Sequence, residues 1–287
     1  MDWKNYQKWP VIEKMFEPRP RVAVIRMSGV IADTAGMNRP GISYARYAPL
    51  IEKAFKTPHL DAVALVINSP GGSPGQCSLL TSLIRNRCED KGIKVYAFVE
   101  DVAASGGYWL AAAADGIYAQ ETSLLGSIGV ISASFGLHDL IRQYGIERRV
   151  HTSGMEKSFM DPFLPEESED VQRLKSIQGD IHDQFKAWVE SRRGDMLATG
   201  ETGVFEGRVF SGREAYETGL IDGFGEYRSF FHDDYGDDHK LVDLSPGKGL
   251  LAGLTTMKAR GRHHSLSNAD DWIGALGDRL MWSRFGV

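Results

Sequence analysis

Two short glycine-rich turns each follow an apolar run, and both carry residue types suited to chemistry at an acyl carbon. The first, Ile67-Asn-Ser-Pro-Gly-Gly72, directly follows Ala62-Val-Ala-Leu-Val. Adjacent glycines let the chain turn sharply and leave backbone N–H groups facing a small anion or a polarised carbonyl oxygen. A Pro-Gly-Gly turn alone is most often only a turn, and without a closing Gly-Lys-Ser/Thr it is not a phosphate-binding loop. The second, Asp101-Val-Ala-Ala-Ser105-Gly-Gly-Tyr108, follows the strand-like run 95–99. Small residues around Ser105 allow a carbonyl to come close, and the Ala-rich run behind it predicts a helix whose N-terminal dipole favours an oxyanion. Ser105 therefore stands where a nucleophile can be presented. Taken alone, the same serine reads equally well as a helix cap.

A serine hydroxyl needs a partner that takes its proton. The chain has eight histidines, so a Ser-His pair is the first arrangement to test. His138 falls on a helical pattern, His151 closes a strand-like run, His182 sits on a long predicted helix, and His232, His239, His263 and His264 lie in a poorly patterned tail. Each reads better as a surface or packing histidine, and Ala-Ala-Ser-Gly-Gly does not match the Gly-x-Ser-x-Gly elbow of α/β-hydrolases. Cys77 and Cys88, on one predicted helix, fit neither a redox nor a zinc spacing. Asp233, Asp234, Asp237, Asp238 and His239 read as a solvated acidic loop. The chemistry calls for no metal and no organic cofactor.

Six segments in order carry a resemblance: Ile67-Asn-Ser-Pro-Gly-Gly72, Ala103-Ala-Ser-Gly-Gly-Tyr108, Gly126-Ser-Ile-Gly-Val130, Thr152-Ser-Gly-Met-Glu-Lys157, Pro162-Phe163 and Gly207-Arg-Val-Phe-Ser-Gly212. Together they resemble the signal peptide peptidase A family of serine peptidases in the Clp/crotonase superfamily, over residues 21–225. The resemblance implies a Ser-Lys dyad, with Ser105 as nucleophile and Lys157 as general base. It also implies an oxyanion hole from the N–H groups of Gly72 and Gly106, with Asn68 and Gly71 in support. In the related Clp protease proteolytic subunit the base is a histidine shortly after the serine. No histidine occurs here between Ser105 and His138, which favours the lysine. Two features depart from the family. Met155 and Glu156 precede Lys157 where members often carry a tyrosine, and the family is usually membrane-anchored whereas this chain shows no anchor. Alternation along an extended segment would turn Glu156 away from its neighbour. A lysine accepts a proton only when neutral, so the fold must desolvate Lys157 without pairing it to a carboxylate.

The elements that must position these residues follow from periodicity. Strand-like runs at 22–31, 62–68, 95–99 and 117–119 alternate with helical patterns at 44–55, 79–87 and 108–114, which predicts an α/β fold with a buried, largely parallel sheet. Spacings of three and four from Val171 to Val189 predict a long helix over 166–193, closed by Gly194. Ser211-Gly-Arg-Glu214 has the form of a capping box and Gly219 supplies a stop, so 212–218 reads as a short capped helix feeding a turn at Asp222-Gly223. The family resemblance makes this a Clp/crotonase-like fold of repeated ββα units with flanking helices. The division expected is an aromatic N-terminal segment at 1–20, the catalytic domain at 21–235, and a flexible linker with a C-terminal amphipathic segment at 236–287.

Bulk properties agree with one globular body. The 287 residues are 42% hydrophobic and 25% charged, enough to bury a core. A net charge of −5 gives no footprint for nucleic acid. No window approaches the ~20 apolar residues of a membrane-spanning helix, and the start lacks the apolar stretch of a secretory signal. The expected location is cytoplasmic, with at most peripheral membrane contact through the aromatic ends. Family members of this length imply a homo-oligomeric ring, an octamer for instance, with the long helix packed between subunits. Lys157 then meets Ser105 either of its own chain or of a neighbour. The expected substrates are unfolded or short apolar peptides such as signal-peptide remnants. Two other classes stay open: a crotonase-like acyl-CoA enzyme, which polarises a carbonyl without a serine nucleophile, and a non-catalytic scaffold binding partners through its aromatic ends. Thioester turnover marks the first, and a Ser105 inert to phosphonates the second.

Overall fold

Apolar runs built from Val, Ile, Leu and Ala favour strands buried on both faces, and this is how the centre of the molecule is made. The computed structural model describes residues 19–33, 41–154, 156–198, 202–246 and 279–286. Their elements run β1 (Arg21–Ser28), α1 (Tyr44–Ala54), β2 (Leu60–Ser69), α2 (Pro74–Lys91), β3 (Lys94–Ala104), α3 (Gly106–Ala111), β4 (Gly116–Ala119), β5 (Leu124–Gly126), α4 (His138–Gln143), α5 (Ser168–Arg193), β6 (Val209–Ser211), α6 (Gly212–Glu217), β7 (Gly223–Phe224), α7 (Tyr227–Tyr235) and β8 (Lys240–Asp243). The sheet order is β6-β5-β3-β2-β1-β8, with β4 beside β3 and β7 beside β4. Every pair is parallel except β5 with β6. The expected α/β architecture with a mostly parallel sheet is thus the one the chain adopts.

Period-two alternation sorts the central strands into two apolar faces. Ala23, Ile25, Met27, Val63, Leu65, Ile67, Val95 and Ala97 join the large core beneath α1, α2, α3 and α5. Val22, Val24, Ala62, Ala64, Val66 and Phe98 face the other way, against Tyr227 and Phe231 of α7. β3 forks. Its first half pairs with β4 through Tyr96–Phe98, and its last three residues, from Val102 to Ala104, pair with β5. The fork coincides with a break in the β2–β3 ladder, where Ile67 faces Val99 but Ser69 faces Ala103.

Several boundaries differ from the periodic reading. α2 starts at Pro74 rather than 79, because proline at a helix start costs no hydrogen bond. α3 is the run Gly106–Ala111, shifted toward Ser105 from the predicted 108–114. The capping box of α6 is present, Ser211 Oγ accepting from the Glu214 N–H and Glu214 accepting from the Ser211 N–H. Residues beyond 235 also join the sheet. β8 pairs in parallel with β1 from Arg21↔Lys240 to Val24↔Asp243, and the Leu244 N–H donates to Val24 O at 2.8 Å. Four residues are too few to display a period, so this edge strand is silent in the sequence. The predicted aromatic segment at 1–20, up to residue 18, and most of the predicted linker, 247–278, lie outside the described residues. From 279, Met281, Trp282 and Phe285 are half-buried, and Phe285 lines a cavity with Val66, Phe98 and Tyr227 on the α7 side of the sheet.

Candidate active site

β3 and α3 meet at one residue, Ser105. To turn from strand into helix there, the serine takes φ 51° and ψ −120°, a region that non-glycine residues rarely occupy and that costs of order 1–3 kcal/mol. Two backbone bonds hold the turn: the Ser105 N–H donates to Gly126 O at 2.8 Å, and Ser105 O accepts from the Trp109 N–H at 3.0 Å. The residue stands at the N-cap of α3, yet its hydroxyl makes no capping bond. The side chain is half-buried.

The glycine turn after β2 packs directly against it. Gly71 has φ +106°, and a Cβ there would stand 2.8 Å from Ala104 O and 2.9 Å from both Gly106 N and Ser105 Cβ. Only glycine satisfies both the torsion and the space. Ile31 clamps this turn in place, its N–H donating to Gly71 O at 2.8 Å and its carbonyl accepting from the Ser73 N–H at 2.7 Å. A Cβ on Gly106 would lie 3.2 Å from Gly72 N and 2.7 Å from Cys77 Sγ. The N–H groups of Gly72 and Gly106 are therefore neighbours beside Ser105, and among the described residues neither donates a hydrogen bond. Unspent amides in so closely packed a place are uncommon.

Further residues shape the turn from behind. Cys77 is fully buried beneath Gly106, with Sγ 3.6 Å from Gly106 O. Burial pushes its thiol up to about 12, so it packs as a protonated, inert group. Asn68 bridges the fork in β3: its Nδ2–H donates to Asp101 Oδ2 at 2.7 Å and its Oδ1 accepts from the Val102 N–H at 3.2 Å. Gly126 and Ser127, with φ 92° and 50°, form the seat on which the Ser105 backbone rests. The sequence shows the Gly126–Val130 motif but not this job; its paired glycines were the only signal. α5 fixes α3 by stacking Phe185 on Trp109 at 4.6 Å, by a Trp188 Nε1–H bond to Trp109 O, and by Arg192 bonds to Ala112 O and Ala114 O. Arg192 thereby satisfies carbonyls that a helix end leaves open.

Lys157 stands apart from this cluster. It is exposed, in a turn where its N–H donates to Gly154 O at 3.3 Å. Its neighbour Glu156 is ion-paired with Arg173 on α5. Among the described residues no hydrogen bond joins Lys157 to Ser105, and the Lys157 side chain is exposed. The structure brings together Ser105, Gly71, Gly72, Gly106 and Asn68, and leaves Lys157 on the surface.

Residues 87–233, just over half of the chain, match the model of peptidase family S49. The chain belongs to peptidase family S49. A Synechocystis protein whose name proposes a protease is 33% identical, the alignment covering 93% of the S49 chain and 92% of that protein. The chloroplastic serine protease SPPA of Arabidopsis thaliana is 31% identical over 78% of the chain and 34% of its own length. A Brucella abortus protein named Na(+)/H(+) antiporter NhaA is 41% identical over 93% of the chain, which spans only 37% of that longer protein. Among the described residues of the S49 chain no helix is long and apolar enough to cross a membrane.

Proposed function

We propose that this chain is a serine endopeptidase acting through Ser105 and Lys157 on unfolded or short apolar peptides, signal-peptide remnants among them. One observation carries the reading: Ser105 is held in a strained strand-to-helix turn with the two unspent N–H groups of Gly72 and Gly106 beside it. Neutral Lys157 takes the Ser105 proton as Oγ attacks the peptide carbonyl carbon. The oxygen, now negative, is held by the N–H groups of Gly72 and Gly106, each such donor supplying roughly 3 kcal/mol. Collapse breaks the C–N bond while the lysine ammonium protonates the leaving amine. Water then attacks the acyl-serine along the same path, with Lys157 again the base.

The lysine reaches Ser105 of a neighbouring copy in this proposal. Lys157 shares its segment with Ile131, Phe135 and Tyr144, which are 69%, 81% and 72% exposed, and α4 has no buried residue. Ile177 on the outer half of α5 is exposed as well. Apolar patches of this kind are contact surfaces. A second copy laid over them would remove water from Lys157, and repetition of that contact would close a homo-oligomeric ring, of eight copies if it follows the family resemblance.

Complementation tests both parts. Ser105→Ala and Lys157→Met, each assembled, are expected to lose hydrolysis of a fluorogenic apolar peptide, and a serine-directed phosphonate is expected to label wild type at Ser105. Subunits of the two variants, mixed and reassembled, should regain about a quarter of wild-type turnover, since random pairing rebuilds that share of dyads across a repeated interface. A mixture that stays inactive while both parents assemble puts the dyad within one chain. Wild-type rates in Lys157→Met would remove lysine from the mechanism.

A further inference from the structure

We infer that Asn68 is the positioning residue that sets the nucleophile turn, a role that rests on the peptidase reading of Ser105. Between the pairs Ile67↔Val99 and Ser69↔Ala103, one residue of β2, Asn68, faces three of β3. Such a bulge leaves backbone groups with no ladder partner, and buried ones must be met by other means. Two side chains do this. On the β2 flank Asn68 Oδ1 accepts from the N–H of Val102, a fully buried residue. On the other flank the buried Ser123 donates its hydroxyl to Glu100 O and accepts from the Gln120 N–H.

The bulge is where β3 changes partner from β4 to β5, and only two residues, Ala103 and Ala104, separate Val102 from Ser105. Asn68 uses both ends of its amide: Oδ1 fixes Val102, and Nδ2 is oriented by Asp101. Its backbone belongs to the strand that runs into Gly71 and Gly72. One side chain thus sets the spacing between the strand delivering Ser105 and the turn delivering the Gly72 amide. That spacing governs reactivity, since a shift of about 1 Å at a reacting group can cost roughly a hundredfold in rate.

The test uses full-length assembled protein, with phosphonate labelling of Ser105 and peptide hydrolysis expressed per labelled site. Asn68→Ala is expected to lower kcat and the labelling rate about 10- to 100-fold with KM held within about threefold. Asn68→Asp sets two carboxylates face to face and should fall comparably. Adding Asp101→Asn to Asn68→Asp restores the bond with donor and acceptor exchanged, while the carboxylate at 68 still accepts from Val102, and activity should return to within about threefold of wild type. Asp101→Ala, at an exposed position, keeps the test open if Asn68→Ala does not fold, with an expected loss of about threefold or more. Wild-type labelling in Asn68→Ala, or a double variant as slow as Asn68→Asp, overturns the inference. A wild type that the phosphonate leaves unlabelled at Ser105 instead overturns the peptidase reading beneath it.

Discussion

A serine at φ 51° persists only where its surroundings over-determine it, and around Ser105 those surroundings are mostly backbone. Gly71 illustrates how little room remains. Alanine there must adopt φ +106° and bring Cβ within 3 Å of Ala104 O, Gly106 N and Ser105 Cβ. Gly71→Ala is expected to slow labelling of Ser105 by at least ~100-fold and to lower stability by more than ~1 kcal/mol. Gly179 is the contrast: exposed on α5, with nothing within 4 Å of a built Cβ. Gly179→Ala should raise stability by about 0.5–1 kcal/mol and leave labelling unchanged. Denaturant titration and labelling kinetics on both variants check the pair. At this scale the glycine turn and Ser105 are legible in the sequence, because residue type and order announce a close backbone approach. The job of Asn68 is not, since the ladder break it bridges is a relation between two strands, visible in neither alone.

Elements position the turn from a distance, and the strongest tie is at the end of α5. Arg193 is 2% exposed, with Nη1 donating to both carboxylate oxygens of Asp222 at 3.0 and 2.8 Å and Nε and Nη2 donating to Gly219 O. Asp222 in turn accepts from the Ile117 N–H of β4 at 2.7 Å, and Tyr108 of α3 donates to Leu220 O at 2.7 Å. The bond network thus runs from the long helix to the strand layer beside β3. Arg193→Met leaves a partly buried carboxylate and a carbonyl without their donor, at a cost of about 3 kcal/mol. The expected result is a clear fall in Tm, with Lys186→Met on the exposed face of the same helix nearly neutral. The long helix itself is readable from its spacing because 26 residues display many turns of the period. The strands β5 to β8, two to four residues each, give no period to read, and their places come from pairing: β5 with β3, β6 with β5, β7 with β4 and β8 with β1.

At the scale of the whole molecule the chain is unevenly finished. The central strands β1 to β3 bury their apolar residues almost completely, whereas Ile131, Phe135, Leu140, Tyr144 and Ile146 remain more than half exposed on the segment that also carries Lys157. The sequence could not announce this, because apolar residues left on the surface have the same composition as those in the chain's own core. If that surface is where copies meet, a charge placed in it should separate them without touching Ser105. Phe135→Asp combined with Tyr144→Asp is therefore expected to sediment as a monomer of 31.8 kDa and to keep the near-ultraviolet circular dichroism of the folded sheet. Labelling at Ser105 should nevertheless fall toward that of Lys157→Met, since the turn survives while its base is withdrawn. Retention of wild-type labelling by a monomer would place the base within one chain and leave the exposed surface for some other contact. A variant that stays assembled and active would show that copies meet elsewhere.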